Sequence, residues 1–409
     1  MIRSSRSRRV LLLLAAGAPL WVACTDAPPT TPAPRGPSAS RAERTQATLA
    51  SVRWMALARE LVASHAISPI VATRAFALVG VAQYGALVAA DFGGGQAQYE
   101  ARRGAVAGAA ARVLAALFPD APSRAAIDAL LAAEAAAGPG NVHPQFRRGL
   151  EAGYAMGDVM NARAATDNFA IRWDGVLPTP GPGVWTGLPG VAPSGFQFPT
   201  LQPYFLTTQS QFRPPPPPTY GSPEFLAAAA AVLQAATSRD AAAVANAIFW
   251  AQANGTQTTA GFWLGRASEL ATAAGLDELE AAHLLALTSA ALADAGIACY
   301  EAKYHYDFIR PSQHDPSIPL ITGIGLPNHP SYPSGHSCLS SAAVTILSAW
   351  FPSAAGVLNA QLVEAGQSRV IAGIHYPFDI TAGQALGRAV ALWAMAYDDG
   401  QGLLTAVGR

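Results

Sequence analysis

The sequence predicts an all-α protein made of helical bundles, and three observations predict it. Alanine and leucine dominate most stretches, a composition that favours helix. From about Arg41 to Tyr397, outside one insertion, the apolar spacing is helical rather than alternating. Pro and Gly cut that pattern into pieces of ordinary helix length. With 51% hydrophobic and 13% charged residues in 409, the chain can bury a large core and is too long for one small domain. Its formal net charge is zero and no basic tract follows the first residues, which argues against nucleic acid as a partner. Three cysteines are too few for a disulfide framework.

The elements follow in chain order. Arg3, Arg6, Arg8 and Arg9 precede an apolar run from Val10 to Ala18, and the small residue Ala23 then precedes Cys24. Residues 1–24 therefore read as an export signal, too short to span a bilayer comfortably. Trp21-Val22-Ala23-Cys24 resembles a bacterial lipoprotein box, with Trp where Leu is usual. The expectation is an exported, soluble protein, periplasmic or at the cell surface, lipidated at Cys24 and touching membrane only through that anchor. A plain secretory signal with an incidental cysteine is the alternative. Ser7-Arg8-Arg9 is also a weak twin-arginine signal. Residues 25–40, rich in Pro, Thr, Ala and Ser, read as a disordered tether.

An N-terminal helical region, 41–221, carries helices predicted over 41–64, 69–91, 96–117, 123–137 and 144–165. Its last part, 167–221, is an insertion rich in Pro, Gly, Trp and Phe. An ordered loop over the helical body is expected there, because its aromatics need burial. Such a long loop is either functional or a passive wrap. In the C-terminal region, 222–409, helices are predicted over 223–237, 239–253, 258–274, 276–303, 334–350, 354–373 and 377–397, with a loop at 311–333. Outside the signal no uninterrupted apolar run reaches 18 residues, so no membrane-spanning segment is expected in the body.

Three clusters in the C-terminal region bear chemistry. Lys303 and Arg310-Pro311 are spaced by about two helical turns, so both cations can face one side near a helix end that Pro311 enforces. Alone, such a pair is better explained by a solvated face. In Tyr332-Pro333-Ser334-Gly335-His336, Pro and Ser mark a helix N-terminus, which offers free N–H groups to an anion. Gly335 permits close backbone approach, and His336 can exchange protons. An ordinary capped helix start with a surface histidine reads the same way. In Ser368-Arg369 with His375 and Asp379, Gly373 and Pro377 place His375 at a helix junction, where Asp379 can orient its imidazole. A structural histidine with a capping Asp is the alternative. Together, three cations, a helix N-terminus and two histidines suit the holding of a tetrahedral oxyanion between a nucleophile and a proton donor. Recognisable zinc-ligand spacing is lacking.

These clusters match the signature of the superfamily of type 2 phosphatidic acid phosphatases and vanadium-dependent haloperoxidases. Cys299-Tyr300-Glu301-Ala302-Lys303-Tyr304-His305-Tyr306 and His329-Pro330-Ser331-Tyr332 resemble its bacterial haloperoxidase-like branch more than the membrane lipid phosphatases. The specific match covers roughly residues 290–390. The resemblance implies a C-terminal four-helix bundle with the active site in its core, often beside a second bundle. It implies that Lys303, Arg310, Ser334, Gly335 and Arg369 hold the oxyanion, that His375 bonds its central atom, and that His336 is the acid/base. Lys303 would also act in catalysis, and Asp379 would orient His375. A haloperoxidase would use vanadate, hydrogen peroxide and halide, His375 being the bond to vanadium. A phosphatase would use no cofactor and hydrolyse a phosphoester through a phosphohistidine at His375. A non-catalytic surface lipoprotein is the remaining alternative. His329 resembles the bromide-oxidising members, where chloride-oxidising ones tend to carry phenylalanine, so bromide is the expected halide. Related haloperoxidases are often dimers or larger, so a homo-oligomer is expected by resemblance.

Overall fold

The computed structural model describes residues 49–89, 95–137 and 143–406. The export signal, Cys24 and the 25–40 tether lie outside the described residues. Within these, thirteen α-helices and no strand are present: α1 (Ala50–Ser64), α2 (Pro69–Ala89), α3 (Gly95–Leu117), α4 (Ala121–Ala136), α5 (Pro144–Thr166), α6 (Pro223–Ser238), α7 (Ala241–Phe249), α8 (Thr258–Ala274), α9 (Glu278–Tyr306), α10 (Pro311–His314), α11 (Gly335–Trp350), α12 (Ala355–Ile371) and α13 (Pro377–Gln401). The all-α expectation holds.

The helix starts are set by the residues that mark them. Asp120, Ser222, Asp240 and Asp277 each accept a backbone N–H of the first turn, beginning α4, α6, α7 and α9. At α9 the cap is reciprocal, because Glu280 also accepts from the Asp277 N–H. Pro144, Pro223, Pro311 and Pro377 stand first in their helices, where a missing N–H costs nothing.

Helix α9 runs through the middle and packs against α2, α8, α11 and α13. It and α2 have the length and mean hydropathy to cross a membrane, yet both are buried inside the protein. On the far side of α2 lies the α3–α5 pair. Its helices touch backbone to backbone: a Cβ on Gly104 or on Gly149 would lie 2.0 Å from Phe146 O or Ala101 O. On the other side, α11 and α13 meet in the same manner, and a Cβ on Gly387 would lie 2.1 Å from Cys338 O.

The 167–221 insertion is ordered and helix-poor, with only a short 3-10 turn at Phe198–Thr200. As expected from its aromatics, Trp185, Phe198, Tyr204 and Phe205 are buried. The buried Asp294 carboxylate of α9 ties the segment down by accepting the backbone N–H groups of Tyr204, Phe205 and Leu206 at 2.7, 2.7 and 3.1 Å. Helix α7 ends earlier than its apolar pattern predicts. Beyond Trp250 the chain turns through left-handed backbone at Gln252 (φ 40°) and Thr258 (φ 67°). A β-branched residue rarely adopts that conformation. The Ala251 carbonyl, at the start of this turn, faces His336.

Candidate active site

Gly383 sits nearly two turns into α13, where a Cβ would lie 2.7 Å from Ser334 O. That close approach sets the start of α13 against the start of α11. The Ser334 N–H then donates to Asp379 O at 3.0 Å. Ser334 caps α11, its hydroxyl accepting from Ser337 N. The next residue, Gly335, opens the helix beside a cavity of about 240 Å³. A Cβ there would meet nothing nearer than a Tyr300 ring carbon at 4.0 Å.

His375 lines this cavity from the turn between α12 and α13. Its Nδ1 lies 2.8 Å from Asp379 Oδ2. A carboxylate accepts, so Nδ1 carries the proton and Nε2 keeps its lone pair, with no partner among the described residues. The same Asp379 oxygen accepts from Ser331 Oγ at 2.6 Å and from Tyr376 N at 3.1 Å. Burial pushes the Asp379 carboxyl up to about 6, against the opposing pull of the Ser331 hydroxyl and Lys303. Burial, with Arg310 and Lys303 nearby, holds His375 well below the usual imidazole range.

His336, the second residue of α11, also lines the cavity, with Nε2 3.1 Å from Ala251 O. That carbonyl belongs to the strained turn after α7. A carbonyl can only accept, so it fixes the proton on Nε2 and leaves Nδ1 as the basic nitrogen. Burial first, and the Arg369 charge second, push His336 down to about 3.

The cations split into two groups. Arg369, near the end of α12, lines the cavity; its Nε donates to Ser368 Oγ at 2.9 Å and its Nη2 to Ala247 O. Lys303 and Arg310 are fully buried just behind the cavity wall. Lys303 Nζ donates to Pro330 O and Ser331 O, both at 2.8 Å. Arg310 donates to His329 O at 2.8 Å, Ile374 O at 2.7 Å and His329 Nδ1 at 3.0 Å. Each retains an N–H for another acceptor, since an ammonium has three and a guanidinium five. Burial lowers Lys303 to about 8, Arg310 to about 10 and Arg369 to about 9.

The two-turn reading of Lys303 and Arg310 needs correction. Helix α9 stops at Tyr306, and Arg310 stands beyond it in extended backbone, capping α10. The two cations do not share a helix face. A turn brings them together on the 329–331 carbonyls. Of the remaining sequence-predicted residues, Gly335, His336, Arg369, His375 and His329 line the cavity, whereas Ser334 is buried beside it. Ser331 and the carbonyls of Ala247 and Ala251 are parts of the site that the sequence does not single out. Ser331 stands inside the His329–Tyr332 motif and could have been found there; a backbone carbonyl leaves no sequence signal.

Residues 282–402, which contain every one of these side chains but not the Ala247 and Ala251 carbonyls, match the family model of the PAP2 superfamily. The likeness to this superfamily thus lies over the site-bearing part of the chain. None of the curated proteins matches the sequence. Among solved structures, the first bacterial vanadium-dependent iodoperoxidase matches with a TM-score of 0.71 and 22% identity, over 86% of this chain and 97% of that one. A bacterial vanadium-dependent chloroperoxidase in its apo form matches with a TM-score of 0.65 and 15% identity, over 83% and 94%. Its holo form matches with a TM-score of 0.62 and 14% identity, over 93% and 97%. At such identities the likeness is one of fold. It extends beyond the superfamily segment into the N-terminal helices.

Proposed function

We propose that the protein is a vanadium-dependent haloperoxidase, oxidising halide with hydrogen peroxide to a hypohalous species, with bromide favoured. The observation that carries this reading is the cavity. Its roughly 240 Å³ lies below the usual range of pockets for organic ligands and suits small reactants. Its walls pair apolar Ile70, Leu339 and Ile374 with Arg369, His336 and His375. The fold likeness over most of the chain to structures named as haloperoxidases supports the same reading.

The residues fit a vanadate ion. His375 offers an uncommitted nitrogen, Gly335 offers bare backbone at a helix start, and Arg369, Lys303 and Arg310 offer positive charge. Vanadate supplies an electron-poor centre that activates hydrogen peroxide toward halide. The chain's own residues do the rest. Asp379 and Ser331 keep His375 in one tautomer and orientation, and the Ala251 carbonyl does so for His336. An anion in the cavity would offset the Arg369 charge, the second cause of the low His336 basicity after burial, and so favour proton uptake at Nδ1. The apolar walls exclude water and strengthen each of these interactions.

The test is an assay of purified protein, with and without vanadate, for bromide-dependent peroxide consumption and for phosphoester hydrolysis. Bromide-dependent turnover that requires vanadate is expected. Brisk phosphoester hydrolysis without peroxidase activity after vanadate loading would assign the site to the phosphatase reading. Export and lipidation at Cys24 remain part of the proposal, checked by mass spectrometry of protein from its native host.

A further inference from the structure

The carbonyls of His329, Pro330 and Ser331 hold Lys303 and Arg310 behind the cavity, yet they belong to a loop with little regular structure of its own. Between α9 and α11 the chain forms only the four-residue α10. Support comes from the 167–221 insertion, which grips the carbonyl row at both ends. Before the row, Asn328 O accepts from Ser194 N at 2.8 Å, and Asn328 Oδ1 accepts from Leu188 N at 3.1 Å. After it, the Tyr332 hydroxyl donates to Pro215 O at 2.6 Å.

The neighbouring proline carbonyl is used in the same way. The Tyr306 hydroxyl donates to Pro214 O at 2.7 Å. Tyr306 ends α9 one turn after Lys303, and Tyr332 directly follows Ser331. Two consecutive carbonyls therefore fix both partners of one contact: the helix end that carries the Lys303 ammonium, and the loop that accepts from it. The two tyrosine rings also meet edge to face, their centroids 5.5 Å apart. A run of prolines suits this task. Each ring fixes φ and removes the N–H, so the run is stiff and its carbonyls stay out of helix and sheet. Neither tyrosine lines the cavity of the candidate site, nor a second cavity of about 520 Å³ under the insertion. They can act on a bound anion only through Lys303 and Ser331.

We infer that Tyr306 and Tyr332 are positioning residues of the oxyanion site, and that Pro214 and Pro215 are the rigid platform from which they set Lys303 against the Pro330 and Ser331 carbonyls. The 167–221 insertion is then part of the site's machinery rather than a passive wrap. The inference rests on the oxyanion reading of the site, and not on the choice between haloperoxidase and phosphatase. Titrations of the full chain with vanadate and with inorganic phosphate, at several pH values, test it. The Tyr306→Phe/Tyr332→Phe double variant loses the two hydroxyls and keeps both rings. It should bind both anions about tenfold more weakly, the low end for residues that orient a binding group. Its loss of binding on the alkaline side should also move to lower pH. Burial holds Lys303 at about 8, among Cys299, Arg310, Asp379 and Cys338. Carbonyls that drift from its ammonium no longer favour the charged form. Gln209→Met removes a bond that the insertion makes to itself, from Nε2 to Leu201 O at 2.9 Å, and should change neither reading. An unchanged affinity or an unmoved alkaline loss in the folded double variant, or equal changes in Gln209→Met, would overturn the inference. If the double variant does not fold, Tyr332→Phe alone decides it by the same two readings. A parent protein that binds neither anion would instead refute the oxyanion reading, and this inference with it.

Discussion

In the α3–α5 pair, a Cβ on Gly149 would lie 2.0 Å from a carbonyl of the facing helix; in the α11–α13 pair, a Cβ on Gly387 would lie 2.1 Å from one. The contact is the same, but what stands at the end of each pair differs. The α3–α5 pair packs onto α2, away from both cavities, and its glycines serve packing alone. The start of α11–α13 carries Ser334, Gly335, His336 and Asp379, and next to it His375. There, backbone contact sets the spacing between the two histidines. One packing device thus gives stability in one place and stability plus site geometry in the other.

The largest expected effects fall on the side chains at the end of α11–α13. His375→Ala should abolish tight vanadate binding, because it removes the proposed protein–vanadium bond. Losses of orders of magnitude are usual for groups of that kind. Asp379→Ala should cost about 10–100-fold, since Asp379 acts by orienting the imidazole. Vanadate titration of both variants checks this order; equal severity would show the roles to be wrongly assigned.

Next come the glycines themselves. Gly149→Ala and Gly387→Ala should each destabilise by about 1–3 kcal/mol, or more, because the obstacle in both is backbone that cannot move aside. Urea titration measures that. Only Gly387→Ala should also weaken vanadate binding per folded molecule. If Gly149→Ala weakened it equally, the division of labour between the two pairs would fail.

Much of this arrangement was legible in the sequence because capping residues and Pro–Gly punctuation are local signals. Ser334 and Pro377 marked their helix starts in the sequence, and the structure sets Asp379 against His375. The positions of Lys303 and Arg310 were not legible. The spacing suggested a shared helix face, whereas a left-handed turn at Asp307 ended α9 first. The early end of α7 was also hidden. Its continuing apolar pattern was overridden by a tertiary requirement, the Ala251 carbonyl reaching His336.

A smaller effect concerns pH. Burial lowers Lys303 to about 8, so its ammonium is present below that value and lost as pH rises through it. Oxyanion binding should therefore weaken above about pH 8. Lys303→Met should bind less at neutral pH and lose less on going alkaline, as a phosphate or vanadate titration at several pH values would show. An alkaline loss of the same size in Lys303→Met would assign it to another group.

The smallest effect, and the finest point of the functional reading, is expected at His329. It lines the vanadate cavity, and its Nδ1 lies 3.0 Å from Arg310 Nη2. A guanidinium only donates, and the Pro330 carbonyl, 3.1 Å from the same nitrogen, only accepts; the full charge on Arg310 makes it the stronger partner, so Nδ1 accepts and the ring proton sits on Nε2. Burial, then Lys303 and Arg310, hold the ring well below the usual imidazole range. It is therefore neutral at working pH. This argues against a charge on His329 that would compete for halide, and leaves a polar N–H donor in the cavity as its means of tuning. His329→Phe would remove that donor and the acceptor on Arg310, while keeping a ring against Tyr300, whose centroid is 5.1 Å away. The fold should survive. Bromide turnover with little chloride turnover is expected of the parent protein, and a changed halide preference or pH optimum of the variant. Steady-state assays with iodide, bromide and chloride decide it. A parent that oxidises chloride as readily as bromide, with His329→Phe silent toward both, would reduce His329 to a brace for Arg310.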